Sequence, residues 1–558
     1  MSYEEKIIGR RNFLKSSGIA LSAGVMASPF ASMTARSAKA SEGVSELVAS
    51  PFGPVATQRD LATGLPLLKL PRGFRYSTIG WTGDVLDDGL LTPLDHDAMA
   101  VIATNSKGEL VLGRNHEIDN DEPTGVEPPQ LFNANGGASV YDTVGGNNGQ
   151  ASGGCSLLTY NPRTAKFTSQ KSALGGTRDN CAGGPSPFAG GSWITCEEDF
   201  AGANTTGGLD HGFCFEVPAS GLATGNPITQ FGRMEHEAIA VDPRSGAVLI
   251  TEDNFPTFSG TFLFVPDNVA EVAANGFENA TGKFFAFAVK GTPNANLTNP
   301  TLGETFDIEM VEVEQGTGPA QSSGAPISPS SLVNDPAFAP FFLPDSTTLS
   351  DGVFTRTSSV SSPFVGGFQN GCALFRRPEG AWYNNGTLFF ADTFAGPIVA
   401  NDTDNIFEST AGVIWAYTPS ADNPAVGVLE CVFVSPDESV GNNPDNITVN
   451  PQSGTIFFCE DTPDSGLRIQ GVTPEGDAFT FAVNNVTLTP DEVAATTDGQ
   501  GNARSPEALG VTEPSDFTSA EFAGACFSPD GRTMFVNVQS PGITFAIFGP
   551  FARLGFPR

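Results

Sequence analysis

Two neighbouring stretches of this chain carry residues suited to chemistry. Asn180-Cys181-Ala182-Gly183-Gly184 sets one thiol in a glycine-rich turn. Gly191-Ser192-Trp193-Ile194-Thr195-Cys196-Glu197-Glu198-Asp199 then runs as a short strand into three acids. Carboxylates gathered at a strand end suit a hard cation better than they suit a core. Further acids stand in comparable settings: Glu117, Glu237, Glu252, Glu379 and Glu460, with Asp253, Asp392 and Asp461 beside them. So many carboxylates in one cavity repel unless they are protonated or metal-bound. Oxygen ligands suit calcium, and one thiolate among them points to a softer or redox-capable ion such as iron. For Asp253, Asp392 and Asp461, facing solvent or capping a turn is the competing role.

Positive charge is scarce, with 28 Lys and Arg against 62 Asp and Glu and a formal net charge of -34. Arg377 lies two residues before Glu379, and Arg114 lies three before Glu117. A guanidinium beside a metal cluster suits an oxyanion, because its planar fork matches phosphate or carboxylate. The competing role for each arginine is a structural pair with a nearby acid. The acidic balance makes nucleic acid and anionic lipid poor partners.

The elements that position these residues repeat. Val241-Asp242-Pro243-Arg244-Ser245-Gly246 leads into Ala247–Asp253, and Val449-Asn450-Pro451-Gln452-Ser453-Gly454 leads into Thr455–Asp461. Phe527-Ser528-Pro529-Asp530-Gly531 and Tyr383-Asn384-Asn385-Gly386 do the same. Each unit reads as strand, tight turn closed by glycine, and second strand ending in a polar residue. That residue falls six after the glycine: Glu252, Glu460, Asn537 and Asp392. The same count leads from Gly191 to Glu197 and from Gly108 to Arg114. A constant count puts the six on equivalent strand faces.

Six such hairpins imply an all-β chain folded as a six-bladed β-propeller, with long loop insertions (119–153, 280–350 and 396–410) over one face. A two-sheet sandwich is the alternative. The first strand of each unit adds polar residues near the same end: His236-Glu237, Arg377-Pro378-Glu379, Asp445-Asn446 and Glu521. Helical periodicity is confined to short stretches at Val269–Ala274 and Thr489–Ala495. Residues 41–90 carry no assignable motif.

Arg10-Arg11-Asn12-Phe13-Leu14-Lys15, the apolar run Gly18–Phe30 and Ala38-Lys39-Ala40 read as a twin-arginine signal peptide over residues 1–40. Residues 41–558 are then one propeller domain, exported by the twin-arginine machinery to the periplasm or beyond. The apolar run is too short for a membrane span. Eight cysteines without a CxxC make neither a zinc ribbon nor a disulfide scaffold, though one or two bridges suit an oxidising compartment. The four histidines (His96, His116, His211, His236) form no HExxH, and no GxSxG, Walker loop or dinucleotide fingerprint occurs.

With the export signal, Gly113-Arg114-Asn115-His116-Glu117, Asn180–Gly184, Trp193–Glu198, His236-Glu237 through Asp253, Arg377-Pro378-Glu379-Gly380, Asp445-Asn446 and Glu521–Gly524 through Gly531, the chain resembles the PhoX family of calcium-dependent alkaline phosphatases. The resemblance implies a six-bladed propeller that hydrolyses small phosphate monoesters. It implies two ferric ions bridged by an oxide and about three calcium ions, with attack on phosphorus by the oxide or a metal-bound hydroxide. By the same resemblance Cys181 bridges the irons. Glu197, Glu237 and Glu379 look like metal ligands, joined by Glu117 and Glu198. Glu252 and Glu460 complete the candidate ligands from their strand positions. Asn115 and Arg377 look like phosphate contacts, with Arg114 beside them. The segment from Pro185 to Ser192 departs from the shorter, tryptophan-bearing turn usual in the family. A phosphodiesterase or phosphotriesterase, a calcium-dependent lactonase, and a non-enzymatic calcium-binding propeller are the alternatives. A monomer is expected. Cys181 has no counterpart in the other blades, which separates this site from a calcium cage.

Overall fold

The computed structural model describes residues 43–118, 139–143, 151–199, 208–254, 258–315, 346–349, 352–355, 361–397, 410–462 and 464–554. The signal segment and most of the stretches 119–153 and 396–410 lie outside them. Six of the antiparallel sheets of the described residues are the blades of a β-propeller, and two further two-stranded sheets pair Ser346–Leu349 with Gly352–Thr355 and Thr487–Leu488 with Ser515–Asp516. The innermost strands are His96–Thr104, Gly183–Ser186, His236–Val241, Pro378–Asn384, Pro444–Val449 and Phe522–Phe527. They are short and almost wholly buried, for example HEAIAV at His236–Val241, because each faces both the channel and its neighbouring blades.

Each blade begins with the hairpin read from the sequence. In the third blade His236–Val241 pairs with Val248–Glu252 across the turn at Gly246. In the fifth, Pro444–Val449 pairs with Ile456–Glu460 across Gly454. Outer strands then accumulate. Their patterns are half exposed, as in Thr305–Glu309, where Phe306 and Ile308 alternate with the exposed Thr305, Asp307 and Glu309.

Two stretches differ from expectation. Residues 41–90 supply Val55–Gln58 and Leu68–Pro71 to the fifth blade and Arg75–Ile79 to the sixth. The last strand therefore pairs Ile543–Phe548 with Arg75–Ile79, and the N-terminal part of the chain closes the ring. Within 280–350, Gly282–Ala286 and Val311–Glu312 extend the third blade and Thr305–Glu309 edges the fourth, instead of forming a loop. The two short helices lie at Val269–Asn275 and Pro490–Ala494, the second with a capping box of Thr489 and Glu492. A third helix, Ser362–Gln369, had no clear sequence signal.

The abundant phenylalanines fill the wedges between blades. Phe74, Phe457, Phe481, Phe527 and Phe551 form one cluster where the fifth and sixth blades meet. The Phe74 and Phe551 centroids are 4.8 Å apart, and those of Phe457 and Phe527 5.4 Å. Such pairs add about 0.5–1.5 kcal/mol each beyond area burial.

Candidate metal centre

One backbone device recurs in all six blades at the same end of the channel. The N–H of a residue just past the second strand, the first one past it in five blades and the second in the second blade, donates to a carbonyl ahead of the first strand. The pairs are Glu117 to Asp95, Glu198 to Asp179, Asp253 to Glu235, Thr393 to Arg377, Asp461 to Asn443 and Gln539 to Glu521. Four of these acceptors hold a positive φ: Asp95 (48°), Asp179 (40°), Arg377 (54°) and Asn443 (47°). Asp and Asn tolerate that region, whereas Arg pays for it. Two residues beyond each acceptor stand Asp97, Cys181, Glu237, Glu379, Asp445 and, in the sixth blade, Ala523. In five blades the ladder register then shifts, between His96 and Met99, His236 and Ile239, Pro378 and Ala381, Pro444 and Ile447, and Ala523 and Cys526. A left-handed residue followed by a bulge re-aims the side chain between them. Both features accompany Asp97, Glu379 and Asp445, the left-handed residue alone precedes Cys181, the bulge alone accompanies Glu237, and together four carboxylates and one thiol reach the channel mouth.

They line a cavity of about 460 Å³ together with Glu117, Glu198, Asp461, Glu521 and Arg377. Nine carboxyl side chains and a single guanidinium face it. Three groups place donor atoms within 4.8 Å of one another: Cys181, Glu198 and Glu237; Glu237, Glu379 and Asp445; and Asp97, Glu117 and Glu521. Glu237 belongs to two of them.

Burial and mutual repulsion distort these acids. Burial pushes Asp97 well above the ordinary aspartate range, and Glu117 and Glu521 add to it. Glu237 is raised by burial and then by Asp445, and Glu379 by burial and then by Asp253. Glu117 and Asp445 are both pushed up to about 7, mainly by burial. Burial, Glu237 and Glu198 raise the Cys181 thiol. Burial works against the charge of Arg377, but Asp253 and Glu379 outweigh it. Arg377 Nε lies 2.9 Å from Asp253 Oδ1, its Nη2 lies 2.6 Å from Asp253 Oδ2 and 3.1 Å from Glu379 Oε1, and its guanidinium stacks on Phe394 at 4.9 Å.

Of the residues singled out from sequence, Cys181, Glu117, Glu198, Glu237, Glu379 and Arg377 meet at the cavity. Asn115, Arg114, Glu197, Glu252 and Glu460 do not line it. The six-residue count lands on Glu197, Glu252, Asp392 and Glu460, each immediately before the residue carrying the recurring N–H. By period-2 alternation these side chains turn away from the mouth. They hold loops instead. Glu197 accepts from the N–H groups of Arg178, Gly212 and Phe213 and contacts His211 Nδ1 at 2.7 Å. Glu252 accepts from Gly260 N–H. Asp392 accepts from Arg376 N–H. Glu460 accepts from Asn442 N–H and pairs with Arg468 at 2.6 Å.

In the first blade the second strand is longer and runs to His116, eight residues after Gly108, so the count falls two short. His116, not Arg114, holds the equivalent place. Arg114 is fully buried behind the cavity, donating to Gly80 O, Ser156 Oγ and Thr544 Oγ1. In the sixth blade the count falls one short, at Asn537. Asn115 lies beneath Cys181. Its Nδ2 donates to the carbonyls of Cys181 and Ala182, and its Oδ1 accepts from Trp193 Nε1 at 2.7 Å.

Asp97 was missed by sequence reasoning, and Asp445 and Glu521 were seen without being placed among the ligands. A usable signal existed: Asp95-His96-Asp97, Asp179-Asn180-Cys181, Glu235-His236-Glu237, Arg377-Pro378-Glu379 and Asn443-Pro444-Asp445 share one three-residue form. Cys181 thus has positional counterparts in four other blades, and only its thiol is singular.

Residues 50–542 match the family model described as alkaline phosphatase PhoX. No curated protein matches the chain. Among solved structures, a gluconolactonase from Xanthomonas campestris is 9% identical, with 89% of this chain and 99% of that one covered and a TM-score of 0.35. The PQQ domain of pyranose dehydrogenase from Coprinopsis cinerea is 10% identical, covering 88% and 98%, with a TM-score of 0.26. The Pan2 WD40 domain of Neurospora crassa is 9% identical, covering 84% and 98%, with a TM-score of 0.30. Likenesses this distant carry no argument about chemistry. The family match spans nearly the whole chain and all six blades that build the cavity, so the chain belongs to the PhoX alkaline phosphatase family and is a phosphatase.

Proposed function

We propose that the chain is an exported, metal-dependent phosphomonoesterase that releases inorganic phosphate from small organic phosphate esters. The observation that carries this reading is the convergence of three ligand groups, two of them sharing Glu237, on a cavity whose one lining cation is Arg377. The donor set fits metal ions. Asp97 Oδ1 is buried without a hydrogen-bond partner, and burial first and mutual repulsion second raise the pKa values of the acids. The thiol of Cys181 with Glu198 and Glu237 suits iron, and the all-oxygen groups suit calcium. Two ferric ions and about three calcium ions, the complement the family resemblance implies, belong to this proposal. When bound, such ions supply Lewis acidity, neutralise the acidic field and lower the pKa of water.

The chain's own residues bind and orient. Arg377, fixed by Asp253 and Phe394, holds equatorial phosphoryl oxygens. Asn115 fixes the backbone of Cys181 and Ala182, and so the direction of the thiol, and serves as a positioning residue. Glu197, Glu252 and Glu460 brace the loops around the mouth. Export rests on the Arg10-Arg11 signal, with the periplasm or exterior as destination and a monomer as the working form. Among the described residues no helix is long and apolar enough to cross a membrane.

Elemental analysis of the purified protein, paired with release of phosphate from p-nitrophenyl phosphate with and without a calcium chelator, tests the proposal. Bound iron and calcium with chelator-sensitive phosphate release are expected. Calcium without iron and no phosphate release would refute it. Faster hydrolysis of bis-p-nitrophenyl phosphate, or of a lactone, would move the activity to an alternative substrate class.

A further inference from the structure

Cys196 ends the second strand of the second blade, one residue before Glu197 and two before Glu198. Cys214 opens the next strand, directly opposite Cys196 in the ladder. Their Sγ atoms are 3.5 Å apart, and neither residue is exposed. This is the one thiol–thiol contact among the described residues. Residues opposed in an antiparallel pair have Cα atoms about 4.5 or about 5.5 Å apart. Both values fall within the roughly 4.4–6.8 Å that a disulfide spans. Bringing the sulfurs to about 2.05 Å takes side-chain rotation, not a change of register. Neither cysteine lines the metal cavity, so ligand duty does not compete for them.

We infer that Cys196 and Cys214 join as a cross-strand disulfide in an oxidising environment. The two thiols together lose two protons and two electrons as the S–S bond forms. A disulfide oxidant, either glutathione disulfide or an exchanging protein disulfide, takes up both and is reduced to two thiols. Thiolate is the attacking species. Both sulfurs are buried, so the bond forms slowly in the folded chain and, once formed, is shielded from reductant.

The position gives the bond a role. The chain between the two cysteines carries Glu198, whose carboxylate groups with Cys181 and Glu237. It also carries Gly212 and Phe213, whose N–H groups grip Glu197. A disulfide ties both ends of this loop at its base and restricts it in the unfolded chain as well. It is a covalent clamp on the segment that presents Glu198.

The test counts thiols in the full chain after incubation with glutathione disulfide, denaturation without reductant, and alkylation with iodoacetamide. Of the eight cysteines, six should alkylate before reduction and all eight after it. Cleavage by a glutamyl endopeptidase should leave the Cys196 and Cys214 fragments joined until reductant is added. In C196A all seven remaining cysteines should alkylate without reduction, whereas C431A should leave two protected. Counting is done on denatured protein, so a folding defect in a variant does not obscure it. Eight alkylated thiols in the oxidised wild type, or a linked fragment pair other than these two, overturns the inference. Neither outcome depends on phosphatase activity or on export.

Discussion

Removing the metal ions should make the stability of this propeller fall as pH rises. Glu117 is pushed from the ordinary 4.5 up to about 7, and Asp445 from 3.8 up to about 7, with burial the leading cause for each. A carboxyl whose folded pKa is raised binds its proton more tightly folded than unfolded. Its contribution is then fully present below pH 4 and is lost as pH climbs through 7. A shift of this size is on the order of 3 kcal/mol for one group. The two groups belong to one interacting cluster, so their losses do not simply add. For a chain of this length about 3 kcal/mol corresponds to roughly 3 °C in melting temperature. Bound cations replace the protons and remove the penalty. The assay is melting temperature at a series of pH values from 4 to 8, with metal-loaded and chelator-stripped protein side by side. Ionisations elsewhere affect both forms alike and cancel in the difference. The gap in favour of the loaded form should widen by about 3–6 °C between pH 4.5 and 8. A gap that is constant or narrows with pH would show that these carboxylates do not share the metals' site.

Two substitutions separate the cavity from the ring of acids behind it. Arg377→Ala leaves Asp253 buried opposite nothing, so thermal unfolding should show a loss of about 3–5 kcal/mol, and kcat/KM for a phosphomonoester should fall about 100-fold. Arg377→Lys should recover stability better than activity, because a lysine cannot reproduce the two-toothed contact with Asp253. Glu460→Gln weakens the grip on Arg468 and Asn442 and should cost about 1–3 kcal/mol. The folded fraction should keep its full metal content by elemental analysis, and loss of an ion there would restore Glu460 as a ligand.

The hairpins were legible in the sequence because they are local. A glycine closes each turn, and the apolar run after it has strand length. Counting six from that glycine found Glu197, Glu252, Asp392 and Glu460, which do share a position. That position faces loop backbone, and the cavity takes the next residue in Glu198 and Asp461. Adjacent strand residues point to opposite faces, so an error of one exchanges a loop brace for a ligand. The first blade's second strand, Leu110–His116, is seven residues long against five in Val248–Glu252, and that length is set by pairing between strands, so Arg114 was counted where His116 stands. Arg75–Ile79, which closes the sixth blade, alternates in burial but not in residue type, because the polar Thr78 sits on its buried face and Ile79 on the other.

By itself the sequence determined the inventory: one thiol in a glycine-rich turn, an excess of acids at strand ends, few cations, and six turn-closed hairpins. These follow from residue types and short-range backbone preferences. Tertiary structure decided which acids meet. The left-handed residues at Asp95, Asp179, Arg377 and Asn443, with the bulges that follow most of them, aim Asp97, Cys181, Glu379 and Asp445 at one mouth. Closure of the ring brings Glu521 of the last blade against Asp97 and Glu117 of the first. Those residues are some four hundred positions apart along the chain. No spacing rule reaches that far, because their proximity is set by the packing of six blades around a common axis.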